Sequence, residues 1–113
     1  MGRGSKEREL ELKNKILDEQ YKKEFLKQRG LMELRNQYIM LSLAENQVKT
    51  GRLYNPNDTI ELILLRCNQL KIAILDTANI LRRDHNIMDN EMEQVKNEVK
   101  AGIKAYTFEM YNE

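Results

Sequence analysis

The chain has no tryptophan, and in 113 residues it has one proline, one cysteine, one histidine and five glycines. A single cysteine excludes an intramolecular disulfide, the device on which small secreted folds depend. A lone histidine, His85, with no second histidine and with Cys67 far away, gives no metal-ligand spacing. No apolar run approaches the ~20 residues of a membrane span. The opening stretch MGRGSKEREL lacks an apolar h-region, so no secretory leader is expected. Lys6 occupies the place where a myristoylation signal requires Ser or Thr. Charge of one sign is also missing. With 19 basic residues against 18 acidic ones, there is no overall pull toward nucleic acid or acidic membrane. These absences predict a soluble, cytoplasmic protein.

What is present points to helix. A hydrophobic fraction of 41% beside 33% charged residues argues against wholesale disorder, and the length allows one domain. Scarce breakers and long-period apolar patterning predict an all-α fold, a three-helix antiparallel bundle over residues 1–113. Its helices are expected at 5–48, 58–83 and 89–110, the first projecting as a coiled-coil-like arm.

Ser5 can cap the first helix, and Glu9/Lys13, Glu11/Lys15, Asp18/Lys22 and Glu19/Lys23 are acid-before-base pairs at i, i+4. Leu10, Leu17, Tyr21, Phe25, Met32, Ile39 and Leu43 form one apolar stripe. Within it Leu10, Tyr21, Met32 and Leu43 recur every eleven residues, close to the period of a straight helix. A second stripe of Leu31, Leu34, Tyr38, Leu41 and Val48 begins after residue 30. Gly30, preceded by Lys27-Gln28-Arg29, resembles a helix end. The eleven-residue phase nevertheless runs through it, so one continuous helix is expected, weakened there by about 1 kcal/mol. Lys49-Thr50-Gly51 is the stop, followed by a turn around Pro56 in which Leu53 and Tyr54 tuck back on the bundle end.

Asp58 with Glu61 reads as a capping box opening the second helix. That helix is apolar on more than one face, the pattern of a central helix buried between two neighbours. Arg82 to Asn86 reads as a polar break. Asp89, or Asn90 with Glu93, should cap the third helix, whose narrow stripe runs from Met88 and Met92 to Met110. Gly102 beside that stripe predicts a close helix neighbour. The six methionines, mostly on the stripes, read as core filler.

At 1.5 Å per residue the first helix is about 65 Å long and the others about 35–40 Å. A short connection makes the second helix antiparallel to the first, ending near residues 22–25. Residues 5–22 are then left without a partner from their own chain, although they carry Leu10, Leu12, Ile16, Leu17 and Tyr21. These five are the expected oligomer or partner interface.

No catalytic constellation is found. Cys67 sits on a core stripe, not in the electropositive setting of a reactive thiol. Pairs such as Glu91/Glu93 and Glu7/Glu11 are ordinary surface spacing. Gly2 and Gly4 precede no strand and make no phosphate loop. No cofactor, metal or small molecule is expected. The reading is a non-enzymatic protein–protein interaction protein, an adaptor, scaffold or assembly factor, that self-associates through its long first helix as a homodimer or pairs with another helical protein. The alternative is a small nucleic-acid-binding regulator of viral or phage type. It would use Lys22, Lys23, Lys27 and Arg29 with Arg82 and Arg83, basic clusters that the antiparallel geometry brings to one level.

Overall fold

A computed structural model describes the backbone of residues 2–112 and the side chains of residues 4–104. It is all-helical: α1 spans Gly2–Thr50, α2 Ile60–His85 and α3 Asp89–Asn112. The molecule measures 75 × 30 × 28 Å. A straight helix the length of α1 spans roughly 74 Å, so α1 alone sets the long axis. Among the described residues no helix is long and apolar enough to cross a membrane.

The ends of the helices follow local chemistry. Gly51 takes a left-handed φ of 69° and donates its N–H to the Gln47 carbonyl at 2.8 Å, closing α1. The Tyr54 N–H then donates to Gln47 Oε1 at 3.1 Å, and Leu53 packs into the core while the Tyr54 ring stays exposed. Asn55 to Asp58 is a turn with Pro56 at its first corner, closed by Asp58 N–H to the Asn55 carbonyl at 3.0 Å.

The cap of α2 is Thr59, whose hydroxyl accepts from Leu62 N–H at 3.2 Å, and not the expected Asp58–Glu61 box. Asp58 instead accepts two bonds from the Arg66 guanidinium, at 2.9 and 3.2 Å. A bidentate charge-assisted pair is stronger than one cap bond, and threonine serves well enough as the cap. The expected break at 82–86 is also displaced. Helix α2 runs through His85 and stops at left-handed Asn86, with Ile87 N–H bonded back to the Leu81 carbonyl. Helix α3 starts with the Met88 carbonyl accepting from Glu91 and Met92. Asp89 bonds Arg82 Nε at 2.7 Å, and Asn90 accepts from its neighbour Glu91 instead of forming a box with Glu93.

Helix α2 runs antiparallel to α1, with Cys67 beside Ala44 and Leu81 over Gly30. Helix α3 returns parallel to α1, placing Glu98 3.2 Å from Arg35. The core joins Leu31, Leu34, Tyr38, Leu41, Ala44 and Val48 of α1 to Ile63, Cys67, Ile74, Ala78 and Leu81 of α2, with Ile87 and Met92 closing one end. The stripe that begins after residue 30 therefore builds the bundle.

Helix α1 continues through Gly30 without a break, as its phase predicts. A Cβ there would stand 2.7 Å from Leu81 Cδ2, so this glycine lets α2 approach closely. Helix α2 is not the central helix. Both α2 and α3 pack chiefly on α1, and they meet each other near their shared turn, through the Arg82–Asp89 pair and Met92. From residue 31 α1 carries apolar residues on two sides and can hold two neighbours, whereas the second apolar face of α2 turns outward. Gly102 differs from expectation too: among the described residues nothing lies within 4 Å of its Cβ position.

Candidate interaction surfaces

The core on α1 begins at Leu31, and α2 ends beside Gly30, where Leu26, Arg29, Asp84 and His85 line one recess. Every side chain from residue 4 to residue 26 is exposed. The expected interface residues Leu10, Leu12, Ile16, Leu17 and Tyr21 all lie in this arm, each between 50% and 75% exposed. Phe25 and Leu26 are exposed as well and lie outside the sequence-based set; α2 ends beside Gly30, one turn short of the level its length implied. Leu10, Leu17, Tyr21 and Phe25 share one side of the arm, while Leu12, Ile16 and Leu26 lie toward the other. None of the four expected ion pairs is closed among the described residues. The nearest polar link on α1 is Gln28 Nε2 donating to Glu24 at 2.9 Å. Exposed pairs of this kind gain little over hydration.

The arm's main stripe does not stop where the bundle starts. Met32 is exposed, and Ile39 and Leu43 are half-buried along one wall of a groove of about 510 Å³. The opposite wall is Val99, Gly102 and Ile103 of α3, and the Arg35–Glu98 pair stands at the mouth. The eleven-residue stripe is thus a surface feature from end to end, while the stripe beside it is core.

Helix α2 contributes a second apolar surface. Leu62, Leu64, Leu65, Ile72, Leu75 and Ile80 are 38% to 62% exposed on its outer side. Between α2 and α3 lies a further recess floored by Tyr38, Leu41 and Ile74 and rimmed by Lys71, Lys96, Lys100 and Glu45. Burial, with the Glu93 carboxylate adding to it, raises the Tyr38 hydroxyl above its ordinary pKa.

The basic residues fall less favourably for a phosphate backbone. Lys22 and Arg29 occupy one side of α1, and Lys23 and Lys27 another. Arg29 does reach the level of α2's end, but Arg82 pairs with Asp89 and Arg83 with Asp84, at 2.7 and 2.9 Å. Asp84 is held below its usual pKa by the hydrogen bond from Arg83. Cys67 is buried, and burial raises its thiol pKa, the opposite of an activated nucleophile. His85 ends α2, where a basic side chain suits the helix dipole. Among the described residues no group of three His, Cys, Asp or Glu side chains could hold a metal ion. A comparison with protein-family models, with curated proteins and with solved structures finds no match to this chain.

Proposed function

We propose that this chain is a non-enzymatic protein–protein interaction protein, an adaptor, scaffold or assembly factor of the cytoplasm, that self-associates through α1. The observation that carries this reading is the arm: seven large apolar side chains on a helix that its own chain leaves uncovered. Covering each is worth about 1.5–3 kcal/mol. A helix stretch without tertiary contacts is otherwise marginal in water. The outer face of α2 supports an adaptor role, because it offers apolar surface on a different side of the bundle. The pairing of Arg82 and Arg83 with carboxylates weighs against the nucleic-acid alternative.

Sedimentation tests the reading. The full chain is expected to run as a dimer at tens of micromolar, and a version lacking residues 1–22 as a folded monomer. That version keeps the whole core, which begins at Leu31. A full chain that sediments as a monomer overturns the proposal. Binding of the full chain to nucleic acid at low salt, lost on Lys23→Glu with Arg83→Glu, would replace it with the alternative.

A further inference from the structure

The exposed stripe of α1 has a symmetry of its own. Its positions run Leu10, Asn14, Leu17, Tyr21, Phe25, Gln28, Met32, Asn36, Ile39 and Leu43. Read backwards, the same spacings superimpose on themselves: 10 falls on 43, 17 on 36, 21 on 32 and 25 on 28. The centre of this pattern lies between Leu26 and Lys27, where the arm meets the bundle. This spacing lets a second copy lie antiparallel along it with every contact made twice about a two-fold axis, Leu10/Leu43 and Tyr21/Met32 as apolar pairs and Asn14/Ile39, Leu17/Asn36 and Phe25/Gln28 as mixed ones.

We infer that two copies pair antiparallel through this stripe, so that the arm of each enters the α1/α3 groove of the other and lies there as a fourth helix. This rests on the self-association proposed above and specifies its geometry. Leu10 then meets the partner's Leu43 beside Gly102, and Tyr21 packs on the partner's Met32. Three features of the chain agree with this occupant. Among the described residues nothing lies within 4 Å of a Cβ position at Gly102 on the groove wall, and a missing side chain lets a helix come close. The groove and the arm belong to one stripe, so a single contact about 50 Å long covers both. The area also suffices. Leu10, Leu17, Tyr21, Phe25 and Met32 are each at least half exposed. At about 100 Å² apiece across two copies they supply on the order of 1,000 Å². The groove walls bring this into the 1,200–2,000 Å² range of stable interfaces.

The outer face of α2 is the rival seat for the arm. An arm placed there leaves Met32 exposed and the groove empty. In the antiparallel pair the α2 faces point away from the interface and stay accessible.

Cross-linking of the full chain in a Cys67→Ala background, with a short bismaleimide, decides the register. Gln28→Cys is expected to link to itself, because two such residues lie only three positions apart along the pair. Tyr21→Cys and Met32→Cys are expected to link when mixed. Neither should link to itself, each being about 16 Å from its own copy along the axis. Gly102→Phe fills the groove and is expected to weaken dimerisation tenfold or more while leaving the helix content unchanged. A dimer in which Tyr21→Cys links to itself, links to Ile72→Cys on α2, or fails to link to Met32→Cys overturns this geometry and leaves self-association standing. A dimer indifferent to Gly102→Phe overturns it as well. A full chain that sediments as a monomer overturns both proposals.

Discussion

From residue 31 onward, α1 is gripped on two sides, by α2 along Leu34, Leu41 and Ala44 and by α3 through the Arg35–Glu98 level. From residue 4 to residue 26 every side chain of the same helix is exposed, and among the described residues only Leu26, at the end of that stretch, lines a recess with α2. Both halves carry an apolar stripe of helical period. What separates them is a second stripe, which starts at Leu31 and turns a one-sided helix into a hub for two others. Helix continuity therefore has different sources in the two halves. In the second half it comes from tertiary burial. In the first it propagates from an existing helix at low nucleation cost, until something covers the arm.

The largest difference between the halves is expected on truncating one leucine in each. Leu34 is fully buried and Leu17 is half exposed. Leu34→Ala is expected to cost about 2–5 kcal/mol of unfolding free energy, through lost transfer and an unfilled cavity. Leu17→Ala should change the stability of the monomer by no more than about 0.5 kcal/mol and should instead weaken association. Urea unfolding of both variants, at low and at high protein concentration, separates the effects. Equal losses for the two residues at low concentration would mean that the arm is already covered within one chain.

A smaller contrast, of opposite sign at two positions, is expected from Gly30 of α1 and Gly102 of α3. Alanine is favoured over glycine inside a helix by about 1 kcal/mol. At Gly30 that gain meets Leu81, whose Cδ2 would be 2.7 Å from the new methyl group and which is itself fully buried. Overpacking of this kind costs about 1–3 kcal/mol, so Gly30→Ala is expected to destabilise by up to about 2 kcal/mol. Adding Leu81→Val to Gly30→Ala should recover part of the loss, a non-additivity that a double-mutant cycle reads directly. At Gly102 no described residue lies within 4 Å of the new methyl group. At low protein concentration Gly102→Ala is therefore expected to stabilise by about 0.5–1 kcal/mol.

Much of this architecture is legible in the residues. The continuity of α1 through Gly30 follows from the eleven-residue phase, the stop at Gly51 from Lys49-Thr50-Gly51, and the uncovered arm from helix lengths alone. The reason for Gly30 is not legible, because it depends on Leu81, distant in sequence, reaching that spot. Which helix is central is not legible either. Periodicity shows that α2 has two apolar faces but not which one meets α1, and a face left exposed looks the same in sequence as a face buried at home. The caps failed for a local reason. Asp58 and Thr59 are both good caps, and the choice turned on Arg66, two helical turns away. Of the candidate site, the five arm residues could be named beforehand. Phe25, Leu26 and the groove at Gly102 could not, since they depend on where α2 ends and where α3 lies against α1.

The smallest expected effect concerns a single proton in the packed half. Tyr38 packs against the core between α2 and α3, and its hydroxyl pKa is raised first by burial and then by Glu93, with Arg82 opposing. In the unfolded chain a tyrosine loses its proton near pH 10. The neutral hydroxyl is favoured in the folded state, so its stabilising contribution is complete below that pH. The contribution is lost as pH rises through the higher folded value, because the unfolded chain ionises first. The urea midpoint is therefore expected to fall more steeply above about pH 10 in the native sequence than in Tyr38→Phe, and Glu93→Gln should reduce the difference. The version lacking residues 1–22 should show the same Tyr38-dependent loss, since the arm makes no contact with this site. If removing the arm abolishes it, the two halves of α1 are coupled across Gly30, and the division drawn between them does not hold.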